Sequence, residues 1–221
     1  MTLSDDYRAR PLDRTLKAVE QDLLARQGPS ISTLRNYRFA IAVYSPAEEW
    51  DLRRGLSALS ERLKQEGMIV HTISLHRMLV DRVKNEFGES TLERLIGREK
   101  RLVERDTPQR GLEYVAGKIR NIVEGPDGLA SDIADEIDQL VADHPDDTDR
   151  IVVFIGRTGA MYPFMRTSAL LKHLDGRTHR VRVILLYPGH KEGESGLSFM
   201  SELPADRDYR PRIYTPDTLK I

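Results

Sequence analysis

The chain has 221 residues, 39% of them hydrophobic and 31% charged, and Lys+Arg 34 against Asp+Glu 35 leaves a net charge of -1. That length supports a sizeable core, the even charge balance argues against a general affinity for polyanions, and the lack of cysteine excludes disulfides, thiolate metal sites and cysteine nucleophiles. The N-terminal stretch carries scattered charges instead of a signal-peptide core, and no window approaches the roughly 20 apolar residues that span a bilayer, so the expectation is a soluble, cytoplasmic protein.

Leu12, Leu16, Val19, Leu23 and Leu24 recur at helical spacing, and Gly28-Pro29 ends that segment. Residues 39–44 are continuously apolar and read as a buried strand. Ser45, Pro46 and Glu48 then spell a capping box with proline at the first helical position. The helix that follows presents Leu52, Leu56, Leu59 and Leu63 on one face and closes at Gly67. Residues 68–75 read as the next strand. Strand, helix and strand with short joins predict a βαβ unit, hence a parallel pair with a right-handed crossover.

Between 76 and 145 the strand signal disappears. Leu92, Leu95, Ile96, Leu102 and Val103 predict one helix, and Leu112, Val115, Ala116, Ile119, Ile122 and Val123 a second. Leu129, Ile133, Ile137, Leu140 and Val141 predict a third, ended by His144-Pro145. The α/β pattern then resumes with a strand at 150–155, a helix from 163 to 174 and a strand at 181–187. Residues 209–215 form a last strand, which Pro211 places at an edge. The expected fold is therefore α/β and three-layered, with a mostly parallel sheet of about five strands and a helical insertion. It is Rossmann-like, or P-loop-NTPase-like without the P-loop. One domain is expected over residues 1–221, with an N-terminal helix in 1–28, the insertion at 76–145, and a C-terminal loop and edge strand in 188–221.

The loop "GRTG" at 156–159, between a β-branched strand and an apolar-periodic segment, raises the question of phosphate binding. A P-loop needs G-x-x-x-x-G-K-[ST], and Gly156 and Gly159 are too close together to supply it. The loop after Tyr44 carries Ser-Pro-Ala-Glu, where a proline and a carboxylate oppose a triphosphate, and G-x-G-x-x-G is also missing. The same four residues match the G-x-x-G loop of KH domains, but there the loop joins two helices, whereas Ile151 to Ile155 read as a strand. A tight βα turn is the reading favoured here. Arg157, Thr158, Tyr162 and Arg166 would then sit at the carboxyl end of a parallel strand, where open α/β sheets place ligands or partners.

The six histidines lack metal-site spacing: His71 and His76 are five apart, and no H-E-x-x-H occurs. Ser195, in Gly-Glu-Ser-Gly, falls short of a nucleophile elbow, and the mixed charges of 98–106 fit a solvated helix face. Trp50, on the first turn of a helix, reads as a core residue or as an anchor for a partner, with core favoured. No catalytic, cofactor or metal constellation emerges from these motifs.

Four segments, taken in order, resemble the BrxB family of bacterial BREX phage-defence systems. They are "FAIAVYSPAEEWDLRRGLSALSERL", "GMIVHTISLHRML", "FIGRTGAMYPFMRTSALLKHL" and "VRVILLYPG", within residues 37 to 215. The most telling pieces are Gly159 with Tyr162-Pro163-Phe164 and Arg166, and the strand end Leu186-Tyr187-Pro188-Gly189. The charged insert at 98–145 matches only in helical character.

The resemblance implies a small component of a system that also holds a methyltransferase, a large ATPase and an alkaline-phosphatase-like protein, PglZ. It carries no established catalytic residues. The expected role is a non-catalytic adaptor for PglZ, or for the ATPase. Arg157, Tyr162, Arg166 and Trp50 are the candidate partner contacts, since Arg and aromatic side chains bury large areas with directional bonds. The alternatives are a DNA-contacting accessory subunit and a degenerate nucleotide-binding domain.

Overall fold

The computed structural model describes residues 10–25, 39–165, 167–193, 196–202 and 211–218. In chain order these form α1 (Pro11–Leu23), β1 (Phe39–Tyr44), α2 (Glu49–Gln65), β2 (Ile69–Ser74), α3 (Leu75–Arg105), α4 (Pro108–Val123) and α5 (Leu129–Asp143). They continue with β3 (Ile151–Gly156), α6 (Thr167–Leu174), β4 (Arg182–Glu192), β5 (Gly196–Phe199) and β6 (Arg212–Tyr214). Short 3-10 turns precede α2 (Pro46–Glu48) and follow β3 (Thr158–Met161). The strands make an open sheet in the order β2-β3-β4-β1-β6; all five run parallel, and β5 adds an antiparallel hairpin to β4.

Side-chain alternation along the strands divides the interior in two. Ile151, Val153 and Ile155 of β3 and Val183, Leu185 and Tyr187 of β4 face one core, with Leu75 and Leu79 of α3, Val123 of α4, Ile133 and Ile137 of α5, and Leu170 and Leu174 of α6. Val152 and Phe154, with Ile184 and Leu186, face the other, against Leu12, Leu16 and Val19 of α1 and Leu52, Leu56, Leu59 and Leu63 of α2. Three layers result, the expected class, because a strand of period two must be covered on both sides when both of its faces are apolar. Helices α1 and α2 approach closely: a Cβ on Gly55 would lie 2.6 Å from Leu16 Cδ1.

Four details differ from the sequence reading. The strands β1 and β2 are parallel members of one sheet but not a pair, because β3 and β4 lie between them. The reason is hydrophobic. Every residue of β3 is buried, as are the first seven of β4 after Arg182, so these strands take the centre. β2, with His71, Thr72 and Ser74, tolerates an edge. Second, α3 starts immediately after β2 and reaches Arg105 through a break at Gly88 (φ 68°, ψ 166°). Its first half buries only Leu75 and Leu79, too few for a strong periodic signal.

Third, β4 runs on to Glu192, and β5 makes a sixth strand. The polar residues His190, Lys191 and Glu192 resemble a loop in sequence, yet they pair with Ser198, Leu197 and Gly196. Gly189 permits this: a Cβ there would lie 2.0 Å from the Ser198 carbonyl oxygen. The Tyr187 hydroxyl donates to the Leu197 carbonyl at 3.2 Å, and its ring meets Phe199 edge-on at 5.4 Å. The Tyr-Pro-Gly strand end is thus the seat of a hairpin. Fourth, Pro163 does not open a helix. It follows a cis peptide bond from Tyr162, and α6 begins at Thr167.

Candidate functional site

The loops after β1, β3 and β4 meet at the carboxyl end of the sheet, where Tyr44 of β1 stands in register with Pro188 of β4. The capping box read from the sequence forms here: the Ser45 backbone N–H donates to Glu48 Oε2 at 3.3 Å, and the Ser45 side chain accepts in return. It closes the 3-10 turn before α2 and so delivers Glu49 to the first turn of that helix. The Tyr44 hydroxyl donates to Glu49 Oε2 at 2.5 Å. Burial, reinforced by the hydrogen bond to Glu49 and by its charge, raises the Tyr44 hydroxyl well above the usual tyrosine range, so it remains a donor.

The other carboxylate oxygen, Glu49 Oε1, lies 3.5 Å from an Arg157 guanidinium nitrogen, and this ion pair joins the β1 loop to the β3 loop. Arg157 is held in the left-handed region (φ 60°, ψ 30°), a costly conformation for a residue with a Cβ. What fixes it is the next residue. Thr158 is fully buried, and its hydroxyl donates to the Leu186 carbonyl of β4. The strained residue therefore keeps its side chain, 43% exposed, at the mouth of a cavity of about 270 Å³. Tyr44, Glu49, His76 and Arg157 supply the polar lining, and Gly159, Pro188 and Met200 part of the apolar one.

Of the candidate contacts, Arg157 lies on the loop after β3 and Trp50 on the first turn of α2, next to the Glu49 that pairs with Arg157. Trp50 is 64% exposed, with the Arg53 guanidinium 4.6 Å from its ring. The favoured core reading fails for a geometric reason. Two positions before Leu52 is about 200° around a helix, so Trp50 points away from the face that packs on the sheet. Tyr162 is 41% exposed and leans on Phe199, with ring centroids 6.4 Å apart. Phe164, partly buried, packs against the core. Arg166 and Ser195 lie outside the described residues.

The Tyr44–Glu49–Arg157 cluster was not found from the sequence. Its one visible signal is a tyrosine ending a buried strand five residues before a carboxylate on a capped turn. His71 and His179 pair with Glu136 and Asp138, each at 2.6 Å, and His190 pairs with Glu192 at 3.0 Å. Among the described residues no three His, Asp or Glu side chains gather as a metal site would need. None of the described helices is long and apolar enough to cross a membrane.

A family profile described as "BREX protein BrxB" matches residues 71–213, well over half the chain. The chain belongs to the BrxB family. Membership makes it a component of a BREX defence system. The match runs from β2 to β6 and includes His76, Arg157, Tyr162 and the Gly189 hairpin; Tyr44, Glu49 and Trp50 precede it. No curated protein and no solved structure matches the chain.

Proposed function

We propose that this BrxB-family chain is a non-catalytic adaptor that binds a larger BREX protein through the carboxyl end of its sheet. The PglZ-like protein is the first candidate and the large ATPase the second. The observation that carries the reading is Arg157. A left-handed arginine, locked by the buried Thr158 and aimed by Glu49, holds a directional cation at the surface at a cost to the fold. Two exposed aromatic side chains, Trp50 and Tyr162, project from the same end. Arginine, tryptophan and tyrosine are the side chains that dominate binding energy in protein interfaces. Arg166, four residues beyond Tyr162 in sequence, belongs to the proposed surface by position.

The charge pattern favours protein over DNA. Arg157 faces Glu49, and Arg54 pairs with Asp51, so these cations of the surface are already partnered. A titration of the PglZ-like protein and, separately, of duplex DNA at 50 and 200 mM salt tests this. The adaptor reading expects protein binding that changes less than threefold with salt and falls tenfold or more in Tyr162→Ala. DNA binding that drops a hundredfold or more over that range would replace it with the DNA-contacting reading.

A further inference from the structure

The two edges of the sheet are built differently. β6 is three residues long, follows Pro211 and begins with Arg212, the usual devices against unwanted pairing. β2 has six residues, Ile-Val-His-Thr-Ile-Ser, with no lysine, arginine, proline or glycine, and among the described residues it pairs only with β3. A groove of about 620 Å³ touches His71, Thr72, Ile73 and Ser74 in succession. Consecutive strand residues point to opposite faces, so a cavity that touches all four lies beside the strand, along its unpaired edge. What fits such a place is another extended backbone, which would satisfy the outward amides and carbonyls.

The groove also has a charge preference. Its walls, from α3 and α5, bring Arg77 and Arg82 against Asp81, Glu86, Asp132 and Glu136, so two cations against four carboxylates leave two net negative charges with His71 neutral. Arg82 is further committed: it pairs with Asp132 at 2.6 Å and donates to the carbonyls of Ile122 and Asp127. Glu86 is exposed at the rim, and Glu136 reaches His71. We infer that the free edge of β2 takes an extended segment of the partner protein as an added strand, with a lysine or arginine of that segment in the acidic groove between α3 and α5. This rests on the adaptor reading and adds to it a second contact, separate from the carboxyl-end surface.

Hydrogen–deuterium exchange of the chain, alone and mixed with the PglZ-like protein, tests the inference, with light scattering on the same samples to report whether a complex is present. The expected result is a complex in which amides of 69–74 exchange at least tenfold more slowly than in the free chain. Glu86→Arg, an exposed site whose change leaves the melting curve in place, should weaken that complex tenfold or more, and Glu136→Gln severalfold. A complex with unchanged exchange at 69–74 overturns the added strand and leaves the adaptor reading standing. Protection there without any loss in Glu86→Arg overturns the basic side chain. If neither the PglZ-like protein nor the ATPase forms a complex, both the inference and the adaptor reading fall.

Discussion

Arg157→Gly separates what this residue costs the fold from what it contributes to binding. A non-glycine residue in the left-handed region is disfavoured by roughly 1–2 kcal/mol, which glycine would relieve. Glycine also gives the unfolded chain more freedom, a loss of about 0.5–1 kcal/mol. Both Arg157→Gly and Arg157→Ala delete the ion pair to Glu49, a half-exposed pair at 3.5 Å worth about 0–1 kcal/mol, so that contribution cancels between the two variants. The alanine variant keeps the strain. Arg157→Gly should therefore be the more stable of the two by about 0.5–1 kcal/mol, or roughly 1–4 °C in a chain of this size. Circular dichroism is the appropriate probe, since the single tryptophan is mostly exposed. Both variants should lose partner binding equally. If Arg157→Ala is as stable as Arg157→Gly, the backbone at this position is not strained. If Arg157→Gly binds as well as the natural chain, the guanidinium is not a contact.

Burial and carboxylate partners raise the hydroxyl pKa values of both Tyr44 and Tyr214, the latter through burial first and then Asp22. A raised pKa means these protons favour the folded state: their contribution is complete below the usual tyrosine pKa of about 10 and is lost as pH rises beyond it. Absorbance titration should thus show Tyr44 and Tyr214 among the tyrosines that ionise only with alkaline unfolding, and Tyr44→Phe should lower that number by one. Tyr214→Phe deletes a donor to the buried Asp22 carboxylate, so urea denaturation should show a loss of about 1.5–3 kcal/mol. Gly189→Ala would press a Cβ onto the Ser198 carbonyl, and a loss of about 1–3 kcal/mol with faster amide exchange across 196–199 is expected.

Much of this fold is legible in the sequence where one physical signal acts alone. The continuous apolar runs of β1, β3 and β4 mark strands covered on both faces, and the leucine stripe of α2 and the capping box before it mark a helix and its start. Signals fade where burial is partial. The first half of α3 carries two buried leucines, and the β5 hairpin is written in polar residues whose pairing depends on a backbone approach at Gly189. Strand order is not written locally either: that β3 and β4 separate β1 from β2 follows only from comparing how apolar each strand is. At the surface, Trp50 was legible by angle, since its place relative to Leu52 sets its side of α2. The ion pair between Glu49 and Arg157 spans more than a hundred residues, and nothing local encodes it.

We propose that this chain holds a larger BREX protein through the surface around Arg157. Co-expression of the tagged chain with the PglZ-like protein, followed by size-exclusion chromatography with light scattering, tests it most directly, run in parallel with Arg157→Glu. A co-eluting complex of defined mass is expected, and Arg157→Glu should abolish it while the variant chain itself elutes as a folded protein. Separate elution of two well-folded proteins, or a complex indifferent to Arg157→Glu, would contradict it.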